Sequence, residues 1–293
     1  MKNANNTIQK TGLGAKASRR LGNTLIYILL ITITVVWLFP FVGIVLESFR
    51  VEYRGLVGYL LPKQFGLDNY IRLFNETDFL SWFSNTAIIG VATAVFQTFF
   101  VLTMSYTLSR MRFKGRKGLM NFMLILGMFP GFLTMILIYK VFVDLGLTEA
   151  NAPIGLVIVY CASSGMGYYV SKGFFDTISK SLDEAARVDG ATRFQVLYKV
   201  ILPLSKPIVI YTILMGFMAP WGDFMFAKYI IHENSAGMTV AVGMHEWLSA
   251  TMVNTNYTMF CAAGVVVAIP VVAVFLLLQK YYVEGVTGGA VKG

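Results

Sequence analysis

The sequence predicts an all-α integral membrane protein with six transmembrane helices and one polar helical block held outside the bilayer. Three observations carry that prediction. Hydrophobic residues make up 56% of the 293 positions and charged residues 13%, departures from globular composition in opposite directions, and the mean hydropathy is +0.66. Six segments are apolar over the roughly 20 residues that a helix needs to cross a bilayer: Thr24 to Leu46, Ser84 to Leu108, Leu119 to Tyr139, Pro153 to Ser171, Pro207 to Ile230 and Tyr257 to Leu278. The basic residues then sort by loop, as orientation requires.

The N-terminal arm, 1–23, carries Lys2, Lys10, Lys16, Arg19 and Arg20. The second loop carries Arg110, Arg112, Lys114, Arg116 and Lys117, the fourth Lys172, Lys180, Arg187, Arg193, Lys199 and Lys206, and the tail Lys280 and Lys292. Together these are 18 of the 24 Lys and Arg residues, so both termini and the fourth loop are expected on the cytoplasmic side. The net charge of +9 therefore reads as an orientation signal and an attraction to membrane lipid, with no nucleic-acid partner.

The first span is too long for the core of a cleaved signal and is followed by no small-x-small cleavage site, so it stays in the membrane. With its outer loop it occupies 24–83. A five-helix core follows over 84–279, including the loop 172–206, and a tail over 280–293. Pro40, Pro130 and Pro270 fall inside the first, third and sixth spans, where proline bends helices. Gly127 and Gly131 form a G-x-x-x-G pair suited to close helix contact. The fourth span is unusually small and polar at Ser163, Ser164, Gly165, Gly167, Tyr168 and Tyr169, which suits a polar path or a helix interface.

Asp223 is the one acid well inside a predicted span, a placement that costs a few kcal/mol. Lys228 lies five residues on, off the shared helix face, so Asp223 needs another partner or water. It is a candidate for a translocation path, or for a hydrogen bond to a neighbouring helix.

Enzymatic chemistry finds no motif. His232-Glu233 and His245-Glu246 lack the second histidine of a zinc protease helix, no G-x-S-x-G elbow presents a serine, and no phosphate-binding loop is present. Cys161 and Cys261 fall inside spans as small hydrophobes, and the histidines read as interfacial residues of the outer loop. The chain is expected to hold no metal and no cofactor of its own.

The fourth loop carries the sharpest signal. Ser181 and Glu184 form a capping box, and Gly190 sits where a helix end needs positive φ. Thr192 and Gln195 repeat the box, after which Phe194, Leu197, Val200 and Ile201 recur at helical spacing until Pro203 stops the run. Helix, glycine, helix is the unit. Its small Ala185 and Ala186 and its charged Asp183, Glu184, Arg187 and Asp189 suit a docking surface for a soluble protein.

Glu184-Ala185-Ala186, Gly190 and Ile201-Leu202-Pro203 resemble the cytoplasmic EAA loop of permease subunits in bacterial ABC importers. The likeness extends over Tyr106 to Lys117 (YTLSRMRFKGRK), Gly173 to Lys206, Trp221-Gly222-Asp223-Phe224, Met238 to Leu248 (MTVAVGMHEWL) and Gln279 to Gly293. It is closest to the smaller membrane subunit of maltose and maltodextrin importers. The resemblance implies a binding-protein-dependent (MetI-like) permease fold whose fourth loop forms a coupling helix on an ATPase subunit through Glu184, Ala185, Ala186, Asp189 and Gly190. It further implies a C-terminal ATPase contact through Gly288, Gly289 and Lys292, and contact of the outer loop, Ile231 to Asn256, with an extracytoplasmic sugar-binding protein. The partners implied are a second permease subunit and two ATPase subunits that carry ATP and Mg. The function implied is import of malto-oligosaccharide or a related carbohydrate by alternating access; a self-sufficient ion-coupled carrier, using Asp223, is the alternative.

Overall fold

The computed structural model describes residues 11–128, 131–163, 165–232 and 235–290, and they are overwhelmingly helical. Helix α1 (Thr11–Ser48) passes through Pro40 without a break. The loop after it is fastened by Arg50, whose guanidinium is fully buried and hydrogen-bonds to both oxygens of Glu47 at 2.8 Å and to Glu52 at 2.6 Å. Helix α2 (Asp68–Asn75) follows. Helix α3 (Phe79–Arg110) has 32 residues, which at 1.5 Å each makes it about 48 Å long.

The third expected span is divided between α4 (Arg116–Gly127) and α5 (Gly131–Asp144); Pro130 lies outside the described residues. The fourth is divided between α6 (Ala152–Ala162) and α7 (Gly165–Asp176), with the interruption at Ser163 and at Ser164, which is outside the described residues. Then come α8 (Lys180–Val188), α9 (Arg193–Val196), a π-helical turn at Leu197–Ile201 and α10 (Leu202–Leu204). The fifth expected span is again two helices, α11 (Lys206–Gly222) and α12 (Met225–Ile231). A single turn at Ser235–Gly237, α13 (Val240–Glu246) and α14 (Val253–Ala290) complete the chain.

Among the described residues, three helices are continuous, long and apolar enough to cross a membrane: Arg20–Ser48, Phe79–Arg110 and Val253–Tyr281. The other three expected spans are each built from two shorter pieces. Backbone groups freed at such breaks need protein partners at membrane depth, and the breaks fall where the sequence is small, polar or proline-bearing. Gly127 and Gly131 flank the first of them, and a Cβ at either would meet nothing within 4 Å, so the pair makes no close contact within this chain.

α3 is the axle of the molecule and takes part in two cores. The larger surrounds its first half, where Phe79, Trp82 and Ile89 pack with Leu73, Leu156, Trp221, Ile230, Val240, Val242 and Trp247. The smaller surrounds its second half, where Leu102 and Tyr106 pack with Phe175, Val196, Leu197, Ile201 and Ile208. Between the two, α3 and α11 cross with almost no side chain between them: a Cβ at Gly90 would lie 2.9 Å from the Phe217 carbonyl, and one at Gly216 2.9 Å from the Ala94 backbone. In contrast, α1 packs on α14 and leaves Leu25, Ile28, Val36 and Trp37 more than half exposed.

The segment expected as a connector between the fifth and sixth spans is folded onto α3. Asn85 donates to the carbonyls of Ala236 at 2.9 Å and Met238 at 3.0 Å, and the Val240 amide donates to Thr86 Oγ1 at 2.9 Å. Within this segment, Ser235–Gly237 form a 3-10 turn, while Asn234 lies outside the described residues. The tail expected at 280–293 continues α14 as helix to Ala290, carrying Gly288 and Gly289 on it, while Lys292 lies outside the described residues.

Candidate functional site

The α7–α10 region forms a corner beside the C-terminal end of α3. α7 is closed off by the amides of Thr177 and Ile178, which turn back onto the carbonyls of Phe174 and Phe175 at 3.1 and 3.2 Å. Ser179 is then extended, with ψ 132°, and its side chain accepts the Ser181 amide. The cap is therefore Ser179, two residues ahead of the box expected at Ser181 and Glu184. The early close of α7 fixes this, because it leaves Ser179 as the first residue with non-helical geometry.

The other end of α8 matches the sequence reading. Gly190 has φ 85°, the Ala191 amide donates to the Ala186 carbonyl at 2.9 Å and the Gly190 amide to that of Arg187 at 3.1 Å, the paired bonds of a Schellman end. Thr192 and Gln195 form the predicted capping box reciprocally, at 2.7 and 3.3 Å. Pro203 does not stop the run. It sits at the first turn of α10, and the chain turns at Ser205, where α9–α10 and α11 meet at 89°. A proline ring clashes with the carbonyl four residues back; the backbone answers with the π-helical turn before it, in which the Leu202 amide reaches the Leu197 carbonyl.

α8 has no buried residue. Glu184, Ala185, Asp189 and Gly190 are exposed, while Ala186 is half-buried and packs on the smaller core. Apolar side chains accompany them at the surface: Val188 is 88% exposed, Phe194 66% and Tyr198 57%, and the last two rings stack with centroids 6.2 Å apart. A charged helix with a large uncovered valine beside a stacked aromatic pair is the composition of a protein-binding face.

Polar contacts that the sequence reading did not single out fasten this corner to α3. Ser109 donates to Asp176 at 2.6 Å, and Lys172 pairs with the same carboxylate at 2.5 Å. Burial acts to raise the Asp176 carboxyl, but the hydrogen bonds from Lys172 and Ser109 outweigh it and hold the group below the ordinary range. Arg110 donates to the Ile178 carbonyl at 2.9 Å, and its Nε lies 3.3 Å from Asp183 Oδ2, with side chains only 4% and 13% exposed. Burial raises the Asp183 carboxyl above the ordinary range, with Arg110 opposing and Glu184 reinforcing it. The only hint in the sequence was a basic residue ending a span and an acid opening the loop helix; nothing in the 72 intervening positions marks them as partners.

Asp223 stands apart from this corner, at the break between α11 and α12. Its backbone is extended, with ψ 103°. Oδ1 accepts the Phe226 amide at 3.1 Å and Oδ2 accepts the Tyr160 hydroxyl at 2.8 Å, so both oxygens are engaged. Lys228 pairs instead with Glu246 at 2.9 Å. His232 hydrogen-bonds to Tyr139, and His245 stacks on Phe224 with centroids 3.7 Å apart; among the described residues no cluster of His, Cys, Asp and Glu forms a metal site.

Residues 102–288 match the family model described as binding-protein-dependent transport system inner membrane component. The chain is 32% identical over 282 residues to the maltodextrin transport system permease protein MdxG of Bacillus subtilis (strain 168), covering 96% of this chain and 100% of that one. It is 33% identical over 280 residues to the maltodextrin transport system permease protein MalD of Streptococcus pneumoniae (strain ATCC BAA-255 / R6), covering 95% and 98%. Among solved structures it is similar to a bacterial ABC transporter involved in the import of the acidic polysaccharide alginate, at 25% identity and a TM-score of 0.73, over 90% of this chain and 98% of that one.

Proposed function

Because the chain belongs to the family of binding-protein-dependent transport system inner membrane components, we propose that it is the membrane-spanning subunit of an ATP-driven importer for malto-oligosaccharide or a related carbohydrate. ATP and Mg are held by two separate ATPase subunits, and this chain catalyses no reaction. It crosses the membrane six times with both termini in the cytoplasm, and α8 is the coupling helix that enters a cleft of the ATPase through Glu184, Ala185, Ala186, Asp189 and Gly190. The C-terminal tail, with Gly288, Gly289 and Lys292, adds a second ATPase contact.

One observation carries this reading: α8 is finished at both ends by caps, yet its outer surface is covered by nothing among the described residues. A helix of nine residues is marginal alone, so its rigid mounting on α3 and α9 makes sense as a handle. A second permease subunit supplies the other half of the translocation path, in keeping with an apolar groove of about 710 Å³ left open between α3 and α6–α7, lined by Ile88, Ala92, Phe96, Ile154 and Ile158. At the opposite end, the folded segment 235–247 and the polar cleft formed by Asp78, Ser81, Ser84 and Asn85 are presented to the sugar-binding protein.

Asp223 is assigned to a hinge beside the translocation path. An ion-coupled carrier would need it to take up and release a proton, and its two oxygens are committed to Tyr160 and to the Phe226 amide. The test is Ala186→Pro, which removes a backbone donor and clashes one turn back, at a cost of about 3 kcal/mol or more. In proteoliposomes containing the companion chains, with maltotriose as the probe, uptake is expected to be lost in this variant. Normal uptake and normal binding-protein-stimulated ATP hydrolysis by an intact Ala186→Pro complex would refute the assignment.

A further inference from the structure

The Arg110–Asp183 pair, whose side chains are largely shielded from solvent, spans the gap between α3 and α8 beside the smaller core. α8 itself packs on α9 and the π-helical turn, and its apolar contribution to the smaller core is the half-buried Ala186. Arg110 is the side chain that reaches from α3 to both ends of the link: it donates to the Ile178 carbonyl just before α8 and faces Asp183 in the first turn. Its neighbour Ser109 holds Asp176 at the end of α7. Two consecutive residues at the end of one long helix thus grip the last residue of α7, the turn and the first turn of α8.

We propose that Arg110 and Asp183 are the positioning pair through which movement of α8 enters α3, making the two helices one rigid lever; this rests on the reading of α8 as the ATPase contact. The chain offers two further routes: the packing of Ala186 and α9 on Leu102 and Tyr106 of α3, and a path along α9 and α10 into α11 that passes through the π-helical turn and the 89° bend at Ser205. A π-helical turn and a sharp corner are compliant elements. The Arg110 link bypasses both and ends on the helix that threads both cores. Within it, Arg110 Nε and Nη1 and Asp183 Oδ1 are buried without hydrogen-bond partners among the described residues, so the 3.3 Å approach of Nε to Oδ2 is an ion pair and not yet a hydrogen bond. Buried arginine and carboxylate groups favour a two-bond fork, so the pair can tighten when α8 is pressed toward α3 and holds more firmly under load.

The experiment uses the assembled complex with its ATPase subunits and two nitroxide labels, at Lys180→Cys on α8 and Val95→Cys on α3, with the buried Cys161 and Cys261 replaced by alanine. Electron-electron distance measurements are made with and without ATP. With Arg110 and Asp183 in place, the label distance is expected to hold within about 2 Å, the size of an ordinary helix shift. In Arg110→Met the nucleotide-free and ATP-bound distributions separate by more than that, and the reversed pair Arg110→Asp with Asp183→Arg restores the fixed distance. The proposal is overturned if the distance with the native pair already changes with ATP, if Arg110→Met leaves it fixed, if the reversed pair restores nothing, or if Arg110→Met merely releases the ATPase subunits. A complex that passes this test but imports no maltotriose sinks the sugar reading and leaves the lever standing.

Discussion

Gly190 shows what a single residue contributes to the α8 corner. Its φ of 85° lies in the left-handed region, and a Cβ there would meet nothing within 4 Å, so any penalty for a side chain is conformational rather than steric. Gly190→Val is expected to weaken α8 by roughly 1–2 kcal/mol and to lower the yield of ATPase subunits recovered with the purified chain, whereas Gly190→Asn retains them. Equal recovery from both variants would contradict the argument. Asp183 gives a pH dependence with a definite sign. Burial raises its carboxyl and Arg110 opposes that rise, so its contribution to stability is full below the ordinary carboxylate value and is lost as pH climbs through the raised one. Arg110→Met removes the opposing cation and leaves a buried, uncompensated carboxylate at neutral pH. The melting temperature of that variant, relative to the wild type, is therefore expected to recover on moving from about pH 7.5 to about pH 5.5; a gap that stays constant with pH contradicts it.

Among elements, the broken spans separate what the sequence disclosed from what it withheld. Gly190 and the Thr192–Gln195 box were legible because capping is local chemistry, complete within four residues. The cap at Ser179 was not, since it depends on where α7 stops, and α7 stops by turning onto its own carbonyls. Pro203 was read as a terminator, but the chain absorbs it with a π-helical turn and bends at a right angle two residues later. Asp223 illustrates the limit best: hydropathy placed an acid inside one apolar span, while the structure divides the span there and uses the carboxylate to accept the Phe226 amide in the first turn of α12. Tyr160, its other partner, comes from α6 and lies 63 positions away, a pairing that no local pattern encodes. Asp223→Ala is expected to destabilise the α11–α12 break by about 0.5–2 kcal/mol, the range for losing a helix cap, and to reduce uptake. Asp223→Asn keeps an accepting oxygen and is expected to retain most uptake in proteoliposomes; loss of uptake with the asparagine, at unchanged melting temperature, would mean that the charge itself is required and that the hinge assignment is wrong.

Across the whole molecule, α3 joins two surfaces, whose anchors at Asn85–Thr86 and at Arg110 lie about 37 Å apart along it by the rise per residue. The α8 corner is mounted beside Arg110, and the folded segment 235–247 is fastened to Asn85 and Thr86 near the other end. Composition made the all-helical, membrane-spanning character legible from the chain alone, because burial in lipid acts on every residue of a span. The division of three spans and the fastening of the loop after α12 were not legible, because they arise from contacts between distant segments. The central claim, that α8 is the handle of an ATP-driven importer, meets its most direct test in a photo-crosslinking side chain placed at Val188, which is 88% exposed on this chain. Irradiation of the assembled complex in membranes is expected to join Val188 to an ATPase subunit; adducts to lipid alone, from a complex that retains its ATPase subunits, would contradict the account.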